Sequence, residues 1–428
     1  MTQGTGGRTP TGTTDPLALG RAIAEADRRA AHALNLVPSE NRVSPLASVP
    51  LGSDFANRYF FNTAGDPLFW EFRGGEDIAH IEALGAGALR RMASARYCNL
   101  RPVSGMSAMI LTVAALSAPG SAVVSVDQDS GGHYATPALL GRLGRRSRLL
   151  GCPGGRVDTE GLARALAPGD VDLVYVDVQN CVRVPDFAAM ADVVRRVSPA
   201  TRLYVDASHY LGLVLGGLVE NPLRCGADAF GGSTHKSFPG PHKGVVFTEG
   251  KEIDESLRAA QFDLVSSHHF AQTLALSLAA LEIEPRIAEY ARTTRDNARR
   301  LATALADAGF RVHGDRGTGY TDTHQVWVAM DSPAAAYTLS NRLAEAGIRV
   351  NLQSSMPRMP GVHLRLGANE ITFQGAGPRA IEELAAALAT ARERPLGPRT
   401  ASGIRARFGA PFYTDPEKLG VEAGLCTC

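Results

Sequence analysis

Gly231-Gly232-Ser233-Thr234-His235-Lys236-Ser237-Phe238-Pro239-Gly240-Pro241-His242-Lys243-Gly244 sets one lysine, Lys236, among small, hydroxyl and imidazole residues ahead of a Gly/Pro turn. An amine that condenses with a carbonyl must be unprotonated, which calls for a confined site, and small neighbours leave room for a flat cofactor. The stretch supplies both. Taken alone, it also reads as a surface loop with a solvated lysine. Its surroundings in the chain favour the first reading. Upstream, Val205-Asp206-Ala207-Ser208-His209 ends an apolar strand in an acid and places an imidazole three positions later. A pyridine-type cofactor draws electrons only while its ring nitrogen stays protonated, and a buried carboxylate keeps it so. Asp206 is the candidate, although an aspartate at a strand end is also a common helix cap. His209 then bonds the ring's phenolic oxygen or stiffens the loop.

Farther upstream, Asn99-Leu100-Arg101-Pro102-Val103-Ser104-Gly105-Met106-Ser107-Ala108 precedes an apolar helix pattern. The turn of Ser104, Gly105, Met106 and Ser107 offers free N–H groups, hydroxyls and the positive end of a helix dipole to a phosphate. After the next strand, Ser130-Gly131-Gly132-His133-Tyr134 presents His133 on a glycine turn, placed to lie flat on a cofactor ring. Each piece is ambiguous alone. Four of them, in this order and on one sheet, point to pyridoxal 5'-phosphate (PLP) with Lys236 as its Schiff-base lysine.

The sheet is read from short apolar runs alternating with helical ones: Ala122-Val123-Val124-Ser125-Val126, Leu173-Val174-Tyr175-Val176, Leu203-Tyr204-Val205 and Gly244-Val245-Val246-Phe247. This alternation predicts an α/β fold with a buried, largely parallel sheet covered by helices on both faces. Ligands of such sheets sit at the carboxyl ends of the strands, where Asp127, Asp177 and Asp206 fall. Residues 1 to about 15 read as a disordered start, residues 16–32 as a helix, and residues 284–308 as an amphipathic helix leading to a smaller domain. There, Gln325-Val326-Trp327-Val328-Ala329 and Val362-His363-Leu364-Arg365-Leu366 predict strands around a helix over residues 334–346. The expected division is a disordered start and arm (1–50), a large cofactor-binding domain (51–300), a small α+β domain (301–395) and a Pro- and Gly-rich, surface-hugging tail (396–428).

The 428 residues carry 44 Lys+Arg against 43 Asp+Glu, so the net charge of +1 gives no pull toward nucleic acid or an acidic membrane. A small soluble substrate fits this balance. Six scattered cysteines, Cys426-Thr427-Cys428 included, lack metal-ligand spacing and predict reduced thiols. No metal site is expected, because adjacent His268 and His269 point to different sides of any regular element. Arg142, Arg145, Arg146 and Arg148 suit either a solvated helix face or a phosphorylated or nucleotide-like acceptor. With neither a signal-peptide pattern nor a membrane-length apolar run, the expected location is the cytoplasm.

These residues resemble serine hydroxymethyltransferase and its relatives in the aspartate-aminotransferase fold, the fold-type I PLP enzymes. The resemblance runs from about residue 36 to about residue 375. Its markers are Leu36-Val37-Pro38-Ser39-Glu40-Asn41, Ser104-Gly105, Gly131-Gly132-His133, Asp206-Ala207-Ser208-His209, Thr234-His235-Lys236 and Leu364-Arg365-Leu366-Gly367. It implies that Lys236 holds PLP, that His133 stacks on its ring, and that Asp206 pairs with its nitrogen. Arg365 would clamp the substrate carboxylate through two parallel hydrogen bonds, with Ser39 in support and Glu40 beside it. Thr234 would belong to the cofactor site. Tyr59 matches a family tyrosine that reaches the neighbouring subunit's site, which implies a homodimer.

The departures bear on the reaction. Two positions beyond that tyrosine the family carries a glutamate that serves folate-dependent one-carbon transfer; here it is Phe61, which cannot move a proton. The run that helps hold the pterin is represented by Asn351-Leu352-Gln353, and the glycine pair that meets the phosphate across the dimer by Ser267-His268. With Pro239-Gly240-Pro241-His242-Lys243-Gly244 and Thr321-Asp322-Thr323-His324-Gln325-Val326, these changes are similar to the L-threonine transaldolases. Such enzymes cleave L-threonine to acetaldehyde and a glycyl quinonoid, then add that carbanion to another aldehyde to give a new β-hydroxy-α-amino acid. His133, Tyr59 and His235 are the candidate bases for the β-hydroxyl proton. Phe60, Phe61, Phe69, Trp70 and Phe72 are either a barrier that keeps water from the carbanion or plain core. The competing readings are a serine or α-methylserine hydroxymethyltransferase that uses L-serine, a threonine aldolase, and a non-catalytic PLP-binding homologue.

Overall fold

Continuous apolar runs flanked by helices build a seven-stranded sheet in the computed structural model, which describes residues 15–62, 70–354 and 356–414. After a short arm strand β1 (Leu34–Asn35) come β2 (Tyr97–Asn99), β3 (Ala122–Val126), β4 (Arg146–Leu150), β5 (Val171–Val176), β6 (Arg202–Asp206), β7 (Ala229–Ser233) and β8 (Gly244–Thr248). The spatial order is β2-β8-β7-β6-β5-β3-β4. Strands β4, β3, β5, β6 and β7 run parallel, as the helical crossovers between them require. The run Gly244–Thr248 departs from the parallel expectation. No helix intervenes between β7 and β8, so the chain returns directly and β8 pairs antiparallel to β7, with β2 antiparallel beyond it. Strands β3, β7 and β8 are buried throughout, which is why their sequences are apolar or small without alternation.

The amphipathic helix Ile287–Asp307 carries the chain to a four-stranded antiparallel sheet. Its members are β9 (Arg311–Val312), β10 (Gln325–Ala329), β12 (Asn351–Gln353) and β13 (His363–Gly367), in the order β12-β13-β10-β9, while β11 (Ile348–Arg349) pairs with the arm. Helix Pro333–Glu345 lies between the strands, as the sequence indicates. Leu34 and Leu36 of the arm are fully buried in this second core, and β1 runs parallel to β11 with Leu34 opposite Ile348. Helix Pro16–His32, capped by the Asp15 carboxylate, buries none of its side chains.

The described part of the tail, residues 396–414, runs mostly along the surface but is anchored at three points. Ala401 and Ile404 of helix Thr400–Arg405 are buried in the second core, and Phe412 is buried in the first, edge-on to Tyr290 with the Arg286 guanidinium 4.3 Å from its ring centroid. A few apolar residues within a polar, Pro-rich string suffice for this, because each fills a matching pocket without any periodic pattern. The expected disordered start, the Cys426-Thr427-Cys428 end and Phe69 lie outside the described residues.

Candidate active site

Asp206 is the last residue of β6 and sits on the same face as Tyr175 and Tyr204, because side chains alternate along a strand and Tyr175 is in register with Tyr204. Its Oδ2 accepts from the Tyr175 hydroxyl at 2.8 Å and its Oδ1 from the Ser208 N–H at 2.9 Å. The Ser208 hydroxyl in turn accepts from the Ser233 N–H at 2.8 Å, which ties the end of β6 to the end of β7. Three residues beyond β7, Lys236 is half-buried in the cavity wall. Its backbone carbonyl accepts from Asn41 Nδ2 at 2.7 Å and Asn369 Nδ2 at 3.1 Å. Burial lowers its amine to about 8, with Asp206 opposing and Arg365 assisting. The lysine therefore meets the requirement for a nucleophilic amine set out from the sequence.

Lys236, Asp206, Ser208, His209, His133, Ser104, Gly105, Met106, Ser233, His235 and His242 share one cavity of about 260 Å³. Ser104 caps helix Gly105–Leu116 by accepting from the Ser107 N–H at 3.0 Å, which turns the helix N-terminus toward the cavity. A Cβ on Gly105 would lie 2.8 Å from the Ser233 Cβ, so a side chain there would close the gap. His133 follows a turn in which Gly131 has φ 97°, where a Cβ would lie 2.4 Å from the Asn180 carbonyl oxygen; glycine is needed there on both counts. Burial lowers His133 below the ordinary imidazole range. His209 is pushed well down by burial, and its Nδ1 lies 3.3 Å from Gln325 Nε2, which links the cavity to β10. Within the cavity walls, Ser233 Oγ and His235 Nδ1 are buried without a hydrogen-bond partner. Orphaned polar atoms beside a deprotonatable lysine, a buried acid, an imidazole and a helix N-terminus fit a phosphorylated pyridine aldehyde, PLP.

Arg365 on β13 is buried. It donates to Asn180 Oδ1 at 2.7 Å and to Asn351 Oδ1 at 3.1 Å, and burial lowers it to about 10. Ser39 is not among its hydrogen-bond partners. Glu40 accepts from Asn35 Nδ2 at 2.9 Å and lines a neighbouring cavity that shares the walls His235 and His242. The Thr234 hydroxyl is committed to the Pro241 carbonyl, at 2.7 Å, and so shapes the turn. Neither Ser107 nor Ser267 lines the Lys236 cavity. Tyr59 is 54% exposed and lines a separate cavity with Phe61 and Phe72.

The aromatic run divides in two. Phe60 is core, stacked on Phe270 with centroids 4.1 Å apart and with Trp70 edge-on to it at 5.0 Å, whereas Tyr59, Phe61 and Phe72 form a tilted outer cluster. Three members of the arginine cluster are engaged locally: Arg146 and Arg148 bond Asp170, and Arg145 bonds Ser117. His268 bonds Thr273 and the Phe60 carbonyl through its ring nitrogens. Tyr175, Asn180, Gln179 and His242 belong to the site without having been singled out. Tyr175 and Asn180 were legible only as the end of an apolar run and the loop after it, positions that face the ligand in this class of sheet.

The model of the family described as serine hydroxymethyltransferase matches residues 14–388. An L-threonine:uridine-5'-aldehyde transaldolase from a Streptomyces species is 81% identical over 99% of this chain and 100% of that protein. One of the same name from an Amycolatopsis species is 46% identical over 90% of this chain and 94% of that protein. Among solved structures, the crystal structure of L-threonine transaldolase from Pseudomonas fluorescens in internal aldimine state superposes with a TM-score of 0.82 at 26% identity, covering 94% of this chain and 96% of that one. The fold, the cavity and the extent of these matches agree: the chain is an enzyme of the serine hydroxymethyltransferase family.

Proposed function

We propose that this chain is a PLP-dependent L-threonine transaldolase whose acceptor is uridine-5'-aldehyde. The observation that carries the reading is the 81% identity to a transaldolase of that name over essentially the whole of both chains. Supporting it, Lys236, Asp206 and His133 line one cavity, and the Arg365 guanidinium acts electrostatically on Lys236. When bound, PLP supplies an electron sink for negative charge at the amino acid's Cα.

The chain's own residues do the rest. Lys236, whose amine burial lowers to about 8, would hold the cofactor through its Nζ. Asp206, fixed by Tyr175 and Ser208, keeps the ring nitrogen protonated. Arg365 would orient the threonine carboxylate and so fix which bond at Cα is set up to break. His133 and His235 are both uncharged at neutral pH, and one of them takes the β-hydroxyl proton as acetaldehyde leaves.

The working form is a homodimer in the cytoplasm. Supporting this, Tyr59, Phe61 and Phe72 form an outward cluster away from the chain's own Lys236 cavity, where they are free to cover the partner's, and the buried cysteines Cys98, Cys152 and Cys181 are unpaired.

The test is to incubate the purified chain with L-threonine, with and without uridine-5'-aldehyde, and to measure acetaldehyde, glycine and the uridine-bearing β-hydroxy-α-amino acid. Acetaldehyde matched by the coupled product is expected. Free glycine regardless of acceptor, or a reaction only with serine and tetrahydrofolate, would overturn the reading.

A further inference from the structure

Lys243 stands outside the Lys236 cavity, fully buried, with its ammonium among three oxygens. They are Thr273 Oγ1 at 2.8 Å, the His268 carbonyl at 2.9 Å and the Arg101 carbonyl at 3.4 Å. The nearby Glu82 is engaged by Arg101 at 2.8 and 3.1 Å and bonds no atom of Lys243. Three acceptors match the three donors of an ammonium group, one more than a neutral amine can offer. A shell of carbonyl and hydroxyl oxygens is also what proteins present to a dehydrated monovalent cation such as K⁺.

The three oxygens come from segments that border the site. Arg101 leads into the Ser104 turn. His268 precedes His269, held at φ 53°, and the helix Phe270–Ile283. The backbone of Lys243 is itself clamped to Thr234, two residues before Lys236: its carbonyl accepts from the Thr234 N–H at 2.9 Å, and its N–H donates to Thr234 Oγ1 at 3.2 Å. The His268 ring extends the connection, with Nδ1 2.7 Å from Thr273 Oγ1 and Nε2 3.2 Å from the Phe60 carbonyl, beside Tyr59 and Phe61.

We propose that Lys243 is a tethered monovalent cation: its ammonium fills a seat fit for K⁺ or NH₄⁺ and, as a positioning residue, holds the Lys236 loop, the phosphate-facing Ser104 turn and the 268–273 turn in register. Burial draws the amine toward about 7 while Glu82 opposes it, so the charge is only partly in place at neutral pH and complete below it. The inference rests on the cofactor assignment but is independent of the acceptor.

The experiment compares the full-length wild type with Lys243→Ala and Lys243→Met, in a tetramethylammonium buffer and then with Na⁺, K⁺, NH₄⁺ or methylammonium added. In tetramethylammonium, Lys243→Ala is expected to bind PLP about tenfold more weakly, the lower end for loss of a group supporting a site. K⁺, NH₄⁺ or methylammonium should restore the affinity and raise the thermal midpoint of the apo chain, while the wild type responds alike to every cation. Lys243→Met, which fills the space without charge, should stay weak in all salts. Unchanged PLP affinity in Lys243→Ala, a loss that no cation reverses, or wild-type affinity in Lys243→Met would each overturn the proposal. If Lys243→Ala fails to fold in tetramethylammonium, recovery with one of the small cations supports the proposal and lack of recovery overturns it. The apo thermal midpoints decide the matter even if PLP proves not to be the cofactor.

Discussion

The Tyr175 hydroxyl reaches from one strand to the next and donates to the Asp206 carboxylate at 2.8 Å. Burial raises Tyr175 far above the usual phenol range, so it stays a donor at any working pH. Tyr175→Phe keeps the ring and its 5.0 Å stacking on Tyr204 but leaves a lone pair of the acid unmatched. Loss of a hydrogen bond to a charged group is worth about 1.5–3 kcal/mol, so PLP affinity should fall roughly tenfold to a hundredfold, read from an absorbance titration. Undiminished affinity would show that Asp206 does not depend on this contact.

Lys236 sets the pH dependence of cofactor capture. Its amine is lowered to about 8, and only the neutral form attacks a carbonyl. The rate at which apo protein turns yellow with PLP should therefore climb with pH through about 8 and level off above it. Stability follows the same group: between about 8 and the ordinary lysine value of 10.5 the unfolded chain binds the proton and the folded chain does not, so this contribution rises with pH across that window. Lys236→Ala should show no colour and no borohydride-fixed adduct.

Arg365→Lys exchanges a planar fork for a point charge. The KM for L-threonine should rise about a hundredfold, the scale of losing a charge-assisted hydrogen bond, with the cofactor colour unchanged. An unaltered KM would mean that the carboxylate is held elsewhere.

Phe61→Ala opens the outer aromatic cluster. Threonine cleavage should continue while more of it ends as free glycine, measured as acetaldehyde formed per coupled product. A constant ratio would remove Phe61 from any part in excluding water.

Phe412→Ala empties a pocket between Tyr290 and Arg286. Truncating a buried phenylalanine costs about 3–5 kcal/mol, and chemical denaturation should give a value near the lower figure, with kcat of the folded fraction preserved. A change well below this would mean that the tail is held by Ala401 and Ile404 instead.

Much of the fold was legible because the parallel strands are buried on both faces and so read as unbroken apolar runs, while the site motifs fall where those strands end. The direction of β8 was not, since an apolar run looks the same forwards and backwards; only the absence of a helix between Ser233 and Gly244 reveals the return. The split of the aromatic run had a readable signal. In extended chain, neighbours face opposite ways, so Phe60 inward sends Tyr59 and Phe61 outward. Tyr175 and Asn180 were hidden because their partners, Asp206 and Arg365, lie 31 and 185 residues away. Ile404 and Phe412 bind through shape at single points, and no periodicity marks such residues.

The pairing of Leu34 with Ile348 has a further consequence for how the protein is made. The leucines leave the ribosome early, yet their parallel neighbour is translated 348 − 34 = 314 residues later. At about 5–20 residues per second, synthesis of that interval takes roughly 16–63 s. Throughout it, Leu34 and Leu36 face water on a nascent chain with nothing to pair against. The amino-terminal arm is thus among the first parts synthesised and among the last to be locked, which makes it the stretch where chaperone cover matters most.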